Sequence, residues 1–241
     1  IQSEELKKAL APLCSGGPYG RIFDSDVDSL QLGSWQTFEM EKLMSTPQIV
    51  GTTLMYIFHR IEQSLKGEPT IIVLDECWVF FDNEQFAAKI REWLKVLRKA
   101  NASVIFATQS ITDIVNSPIF HTVLESCYSR IFLPNNDALE KQTAENYGLF
   151  GLNKRQIEIL ASATKKRHYY YVSPYGSRLF ELALDACPVS LAYVAVNTED
   201  VLAAKEIVRD YGTKEFNRRW LTRSNILEEK NDDVREEAIV S

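Results

Sequence analysis

The segment Thr70-Ile71-Ile72-Val73-Leu74-Asp75-Glu76-Cys77-Trp78 runs four apolar residues straight into two adjacent carboxylates. An unbroken apolar run of this length reads as a strand in the middle of an α/β sheet, buried on both faces. Gly67-Glu68-Pro69 marks the end of the helix before it. The two acids then emerge at the strand's carboxyl end, the edge at which open α/β sheets bind ligands. Adjacent acids there suit phosphoryl chemistry, in which one carboxylate holds Mg2+ through water and the other polarises an attacking water. The plainer alternative is a strand that ends in a turn beginning with Asp75 and Glu76.

The next strand supports the chemical reading. Ser103-Val104-Ile105-Phe106-Ala107 follows about thirty residues later, one strand–helix–strand unit on, and leads into Thr108-Gln109-Ser110. A polar Thr-Gln at the end of a neighbouring parallel strand faces the same crevice. Gln109 there can hydrogen-bond a γ-phosphate oxygen or the attacking water, while Thr108 or Ser110 can cap the helix that starts near Ile111.

Working outward, residues 2–13 read as the end of a helix, and Ser15-Gly16-Gly17-Pro18-Tyr19-Gly20 breaks regular structure. Residues 21–34 look like a surface loop, and 35–40 have strand character. Helical spacing covers 49–65 and 83–99, the second capped by Asp82 or Asn83, and predicts short helices at 111–117 and 119–126. A third strand is expected at 129–133, then helices near 137–147 and 153–162. Two β runs, 168–172 and 178–184, flank Ser173-Pro174-Tyr175-Gly176-Ser177 as a hairpin. Alternation along Tyr169-Tyr170-Tyr171 puts one face of the tyrosines in the core. Residues 198–220 read as helix, and the charged residues 222–241, with Glu228, Glu229, Asp232, Asp233, Glu236 and Glu237, as a solvated tail. The apolar runs Val79–Phe81 and Leu191–Val196 are of core-strand length. Strands alternating with amphipathic helices predict parallel pairing.

The net charge of −6 over 241 residues argues against a generic nucleic-acid coat that neutralises phosphates. Lys165, Lys166 and Arg167 leave room for a local contact with DNA. No leader of charged and then apolar residues follows Ile1, and no run reaches the roughly 18 apolar residues of a membrane span. Cys14, Cys77, Cys127 and Cys187 are far apart and read as buried reduced thiols of a cytosolic protein. His59, His121 and His168 are equally scattered, which disfavours a zinc site.

Three segments in order, Leu74-Asp75-Glu76-Cys77-Trp78, Leu97-Arg98-Lys99-Ala100-Asn101 and Phe106-Ala107-Thr108-Gln109-Ser110, carry a resemblance. The chain resembles the carboxyl-terminal part of the conjugation and type IV secretion ATPases of the VirB/TrbE/CagE kind, within the RecA-like HerA–FtsK motors. Arg130-Ile131-Phe132-Leu133-Pro134-Asn135 and the run from Ser173 to Phe180 agree, so that the likeness covers roughly residues 15–195. It implies an α/β, RecA-like P-loop NTPase core that is partial, lacking the phosphate-loop strand, with flanking helices. The implied division is 1–20 as the end of a helical insert, 21–196 as the ATPase region, and 197–241 as terminal helices and tail.

The resemblance implies ATP and Mg2+ as ligands. Asp75 would hold the metal through water, Glu76 would orient water, Gln109 would sense the γ-phosphate, and Thr108, Arg130 and Arg178 would lie on the nucleotide side. Arg98 resembles the finger that reaches a neighbouring subunit's γ-phosphate, which implies a hexamer. A solvated Arg at a helix carboxyl end is the alternative for Arg98, and Arg130 and Arg178 are the other candidates for the finger. The implied partners are other secretion or conjugation subunits, and the implied location is the cytoplasmic face of the bacterial inner membrane. One departure matters. The loop Gly-x-x-x-x-Gly-Lys-Ser/Thr is absent, since none of the 10 glycines precedes Lys-Ser or Lys-Thr. The expectation is that Ile1 lies inside a longer protein whose loop is upstream, and that this chain alone folds incompletely or exposes apolar surface, and turns over no ATP. A loop-less assembly module and a DNA-pumping relative are the competing functions.

Overall fold

The computed structural model describes residues 3–76, 84–194 and 196–227, in a chain that divides into two compact units, Ile1–Phe120 and His121–Ser241. Cys77, the run 79–81, the expected caps Asp82 and Asn83, and the acidic stretch from Glu228 onward lie outside the described residues.

The first unit begins with α1 (Glu4–Leu10), whose N-cap Ser3 accepts the Leu6 amide. The chain then turns sharply. A Cβ on Gly20 would lie 2.2 Å from the Cys14 carbonyl oxygen, so only glycine fits there. After α2 (Gly20–Phe23) a long loop runs to α3 (Glu41–Met44) and α4 (Pro47–Ser64). The strand expected at 35–40 is irregular: no described strand lies alongside to pair with it. The loop is pinned to α4 instead. Asp28 accepts hydrogen bonds from Tyr56 and Arg60, and Arg60 Nη2 reaches the Leu30 carbonyl at 3.0 Å.

β1 (Thr70–Leu74), α5 (Glu84–Val96), a 3-10 turn at Leu97–Ala100, β2 (Ala102–Phe106) and α6 (Ile111–Val115) follow, and α7 (Phe120–Ser126) starts at the boundary and belongs to the second unit from His121 onward. α4 and α5 meet through Phe58 and Trp93, whose rings lie 4.1 Å apart, and through Lys89 and Glu62 at 3.2 Å. Buried Leu54, Phe58 and Ile90 each contribute about 1.5–3 kcal/mol through loss of water contact.

β1 and β2 pair in parallel, in register from Thr70 opposite Ala102 to Leu74 opposite Phe106. Backbone bonds close both ends: the Thr70 amide donates to Asn101 O at 3.1 Å and the Ala107 amide to Leu74 O at 2.9 Å. Asn101 makes this possible by adopting φ 56°, a left-handed conformation that asparagine tolerates, while its side-chain amide donates to Gly67 O. Burial of this sheet on both faces does not hold. Ile72 and Leu74 are 7% and 8% exposed, but Ile71 and Val73 are 69% and 60% exposed, and Ile105 is exposed beside them. One face of this strand pair thus presents apolar side chains to solvent.

The second unit holds β3 (Arg130–Phe132), α8 (Lys141–Leu149), α9 (Lys154–Ser162), β4 (His168–Ser173) and β5 (Gly176–Glu181). The expected third strand exists but is not parallel. β3 lies antiparallel to β4, and β4 antiparallel to β5, in a separate three-stranded sheet. A hairpin needs only a tight turn, here Pro174-Tyr175, whereas parallel pairing needs a crossover. Phe132 and Tyr170 face the core, and Tyr169 and Tyr171 point to the opposite face. α8 starts later than expected because Asn135 draws residues 135–140 into turns, accepting the Asp137 amide.

Arg130 organises this unit. Its guanidinium donates to three carbonyls: Cys127 at 3.1 Å, Phe150 at 3.0 Å and Leu124 at 2.8 Å. These belong to the carboxyl ends of α7 and α8, where backbone carbonyls have no partner within the helix.

The apolar run 191–196 is not a strand. It falls largely in α10 (Pro188–Val194), because an apolar run alone cannot separate strand from buried helix. α11 (Thr198–Arg223) is capped by Asn197 and folds back on itself at Gly212, with φ 74° and ψ 171°. Asp200 and Arg223, 23 positions apart, are thereby brought to 3.2 Å. The Asn197 amide and Arg223 hold the Asp200 carboxyl below the usual aspartate range. Trp220 Nε1 fastens the return limb to α10 at Ala192 O, 3.0 Å. The thiols also depart from expectation: Cys14 and Cys187 are exposed and Cys127 is half-buried.

Two substitutions test this scaffold. Gly212→Ala places a side chain in a backbone region that is essentially glycine-only, so it should cost about 1–3 kcal/mol of stability in denaturant unfolding. Arg130→Lys replaces the planar fork with a single nitrogen that cannot serve all three carbonyls in their present positions, and a loss of about 1–3 kcal/mol is expected. A lysine variant as stable as the parent would show that the fork of three bonds is dispensable.

Candidate nucleotide site at the strand ends

The parallel register sends both chains out of the sheet at the same end. Asp75-Glu76 leave β1 where Ala107-Thr108-Gln109 leave β2. Asp75 is exposed, and its Oδ1 accepts the Glu76 amide at 3.1 Å. Glu76 adopts φ 50°. This left-handed conformation is unfavourable for a residue with a side chain and persists where surrounding contacts enforce it. One such contact is on view: Gln109 Nε2 donates to Glu76 Oε1.

Thr108 closes a tight local turn, accepting the Ser110 amide and donating to the Ser110 carbonyl, both at 3.2 Å. Of the two caps expected for the helix at Ile111, Ser110 takes the role, its Oγ accepting the Asp113 amide at 3.3 Å. That leaves Gln109 on the turn between them.

Arg98 lies on the 3-10 turn ahead of β2, and its side chain is outside the described residues. Arg130 and Arg178 belong to the second unit. Arg130 is engaged with the three carbonyls described above. Arg178 is exposed on β5, directly across from Tyr171. With Tyr171, Ser173, Tyr175 and Phe180 it lines a shallow hollow of about 400 Å3 on the hairpin. Hydrogen bonds with Ser129 and then Ser173 hold the Tyr171 phenol below its ordinary range. Burial pushes the Cys127 thiol up, with nearby Arg130 acting in the opposite direction. Lys165, Lys166 and Arg167 are exposed, and Arg167 pairs with Glu181 at 2.5 Å.

Two features of the site are not read from residue types alone: the backbone twist at Glu76 and the bond that joins it to Gln109. The left-handed turn at Asn101 is different, because an asparagine just ahead of a strand is a signal the sequence does carry.

Comparison with known proteins places the chain in a family. Residues 2–210 match the family described as TraG P-loop domain. Among individual proteins, the chain is 47% identical over 213 residues to a probable conjugal transfer protein TrbE of Sinorhizobium fredii, covering 88% of this chain and 32% of that protein. It is 45% identical over 228 residues to "Conjugal transfer protein TrbE" of Rhizobium radiobacter, covering 94% and 27%. To "Type IV secretion system protein virB4" of Bartonella quintana it is 33% identical over 200 residues, covering 82% and 25%. The chain thus spans about a third or less of the length of the curated relatives it matches. Among solved structures, VirB4 of Thermoanaerobacter pseudethanolicus superposes with a TM-score of 0.59 at 18% identity, over 75% of this chain and 50% of that one. This likeness concerns the fold, which is α/β and RecA-like. With the family match over residues 2–210 and the two carboxylates at the end of β1, this chain belongs to the TraG P-loop domain family and is a homologue of the TrbE and VirB4 proteins.

Proposed function

We propose that this chain is the carboxyl-terminal ATPase region of a motor subunit that energises conjugative transfer or type IV secretion. The observation that carries the reading is the side-by-side exit of Asp75-Glu76 and Thr108-Gln109 from a parallel strand pair, with Glu76 and Gln109 in contact. In this reading residues 21–196 form the ATPase core, 1–20 end a helical insert, and 197–241 are terminal helices and tail. Asp75 would hold Mg2+. An exposed carboxylate is a hard oxygen donor that suits this ion, and among the described residues no group of three or more His, Cys, Asp or Glu offers a cage of its own. Bound there, Mg2+ would neutralise charge shared between the β- and γ-phosphates.

Glu76 accepts the proton of the attacking water. Gln109 offers its amide to the γ-phosphate, and Thr108 holds the turn that presents it. Arg98 completes the site of a neighbouring subunit in a hexamer. Arg178 serves the nucleotide side from an exposed strand position, and Arg130 keeps the second unit's helix ends in place. The partners are other conjugation or secretion subunits at the cytoplasmic face of the inner membrane. Among the described residues no helix is long and apolar enough to cross a membrane.

A second reading, a loop-less assembly module, is favoured by the absence of Gly-x-x-x-x-Gly-Lys-Ser/Thr from these 241 residues. Without that loop no backbone cradle or lysine holds the phosphates, so the chain alone should not turn over ATP. A phosphate loop encoded upstream separates the two readings. Hydrolysis stimulated by DNA would instead point to a DNA-pumping motor.

In the full-length protein, Glu76→Gln should keep nucleotide affinity within a few-fold and lower turnover by about 10²–10⁴, the range for loss of a positioned base. Hydrolysis at the parental rate would reduce Glu76 to a strand-end acid. Arg98 is tested by mixing. Arg98→Ala alone should lower hydrolysis by the assembled ring by about 10³ or more. Rings assembled from Arg98→Ala and Glu76→Gln subunits should regain some of the activity, because some interfaces pair an intact Glu76 with an intact Arg98. No rescue in rings shown to be mixed would remove Arg98 from the site and leave Arg178 as the candidate.

A further inference from the structure

β5 is the last strand of its sheet and pairs only with β4. The Leu182 amide donates to the Arg167 carbonyl at 3.1 Å, which continues the β4–β5 register by one pair and fixes its phase. Even-numbered residues of β5 thus point their backbone groups at β4, while Ser177, Leu179 and Glu181 point theirs away. Among the described residues no backbone group pairs with these three on that side. Every residue of β5 except Phe180 is exposed. Proteins usually blunt such an edge with proline, lysine or a bulge. Gly176–Glu181 has none of these, and its six pairs with β4 run unbroken.

The outward face of the same strand carries a charge without a counter-charge. Arg178 lies across from Tyr171 and, among the described residues, its guanidinium makes no ion pair or hydrogen bond. With Tyr175 and Phe180 it lines the shallow hollow of the hairpin. The walls are preset: Tyr171 and Ser129 share a hydrogen bond of 3.0 Å between their hydroxyls, and the Tyr169 and Phe180 rings stack 5.6 Å apart. A strand added beside β5 sets alternate side chains on this face, next to Arg178 and Phe180. We propose that the open edge of β5 and this hollow together form a docking site for an extended segment of a partner protein, with a carboxylate side chain for Arg178 and an apolar side chain two positions away for Phe180. The guanidinium fork matches a carboxylate with two hydrogen bonds. The main-chain ladder supplies affinity, and the hollow supplies the choice of side chain. A phosphate would satisfy Arg178 equally well but would leave the edge groups of Ser177, Leu179 and Glu181 unused; an extended chain engages both. The inference goes beyond the nucleotide reading and places a second claim on Arg178, because a guanidinium paired with a docked carboxylate is withheld from any phosphate.

The test selects displayed random peptides of eight residues on the full-length protein and measures dissociation constants for the enriched sequences as free labelled peptides. They should share an Asp or Glu two positions from an apolar residue. Arg178→Glu should weaken them about tenfold or more, the scale of hydrogen bonds to a charged group, and selection on that variant should enrich Lys or Arg at the same place. Methylating single peptide nitrogens should abolish binding at every second position, where the amide faces β5, and be tolerated in between. Leu179→Pro removes one edge amide without touching a bond to β4 and should cost about tenfold in affinity, the scale of one hydrogen bond. Where that variant fails to fold, the methylated peptides carry the same test. No enriched peptide, no shared acidic position, indifference to Arg178→Glu, or methyl effects without alternation would each overturn the proposal. A dimer in sedimentation that Leu179→Pro dissolves would assign the edge to a second copy of the chain and overturn it too. So would binding of a thymidine oligonucleotide or an ATP analogue that needs Arg178 when no peptide does.

Discussion

The parallel register of β1 with β2 is the constraint on which the candidate site depends. It is set at one end by the Thr70 amide on Asn101 O and at the other by the Ala107 amide on Leu74 O. Between them the five residue pairs leave no freedom for slippage. A slip of one residue would turn Ile72 and Leu74 to the exposed face and would move Asp75 and Glu76 away from Gln109. The left-handed Asn101, anchored to Gly67, enforces the register from the far end of the strands. A feature remote from the carboxylates thereby decides where they lie.

The second unit solves a different problem. Its three-stranded sheet joins a local hairpin, β4 with β5, to β3 from the far side of two helices, and helix ends nearby leave carbonyls that need donors. Arg130 supplies them from the start of β3 with one planar, permanently charged group. A similar economy governs the terminal helices, where Gly212 reverses the chain and Trp220, Asn217 and Arg223 fasten the return limb to Ala192, Tyr193 and Asp200. In both places one residue with unusual geometry or donor capacity replaces what a larger core would otherwise provide.

Much of this is legible in the order of residues. Four apolar residues before Asp75 make a buried-type strand, and the spacing of Phe86, Ile90, Trp93, Leu94 and Leu97 marks one face of a helix. The hairpin shows in Pro174-Tyr175-Gly176. Where expectation and structure part, the missing information is pairing. Residues 35–40 have strand-like composition but no described partner. Residues 191–196 are apolar enough for either state, and the chain resolves 191–194 as helix after Pro188. The rhythm of strands and helices predicts β3 as one more parallel strand, yet that rhythm does not reveal which strands meet.

Residue order alone settles what stands at the strand ends: two acids after β1, Thr-Gln after β2, and an arginine before it. Strand and helix propensity, and the period of apolar side chains, are local properties that a linear chain carries openly. The left-handed backbone of Glu76 and the bond its carboxylate accepts from the Gln109 amide, 33 residues away, arise only in the folded chain. So do the commitment of Arg130 to three carbonyls and the exposure of Ile71 and Val73. These outcomes depend on which groups compete for a donor or a neighbour once the chain has folded, and that competition is settled by distance in space.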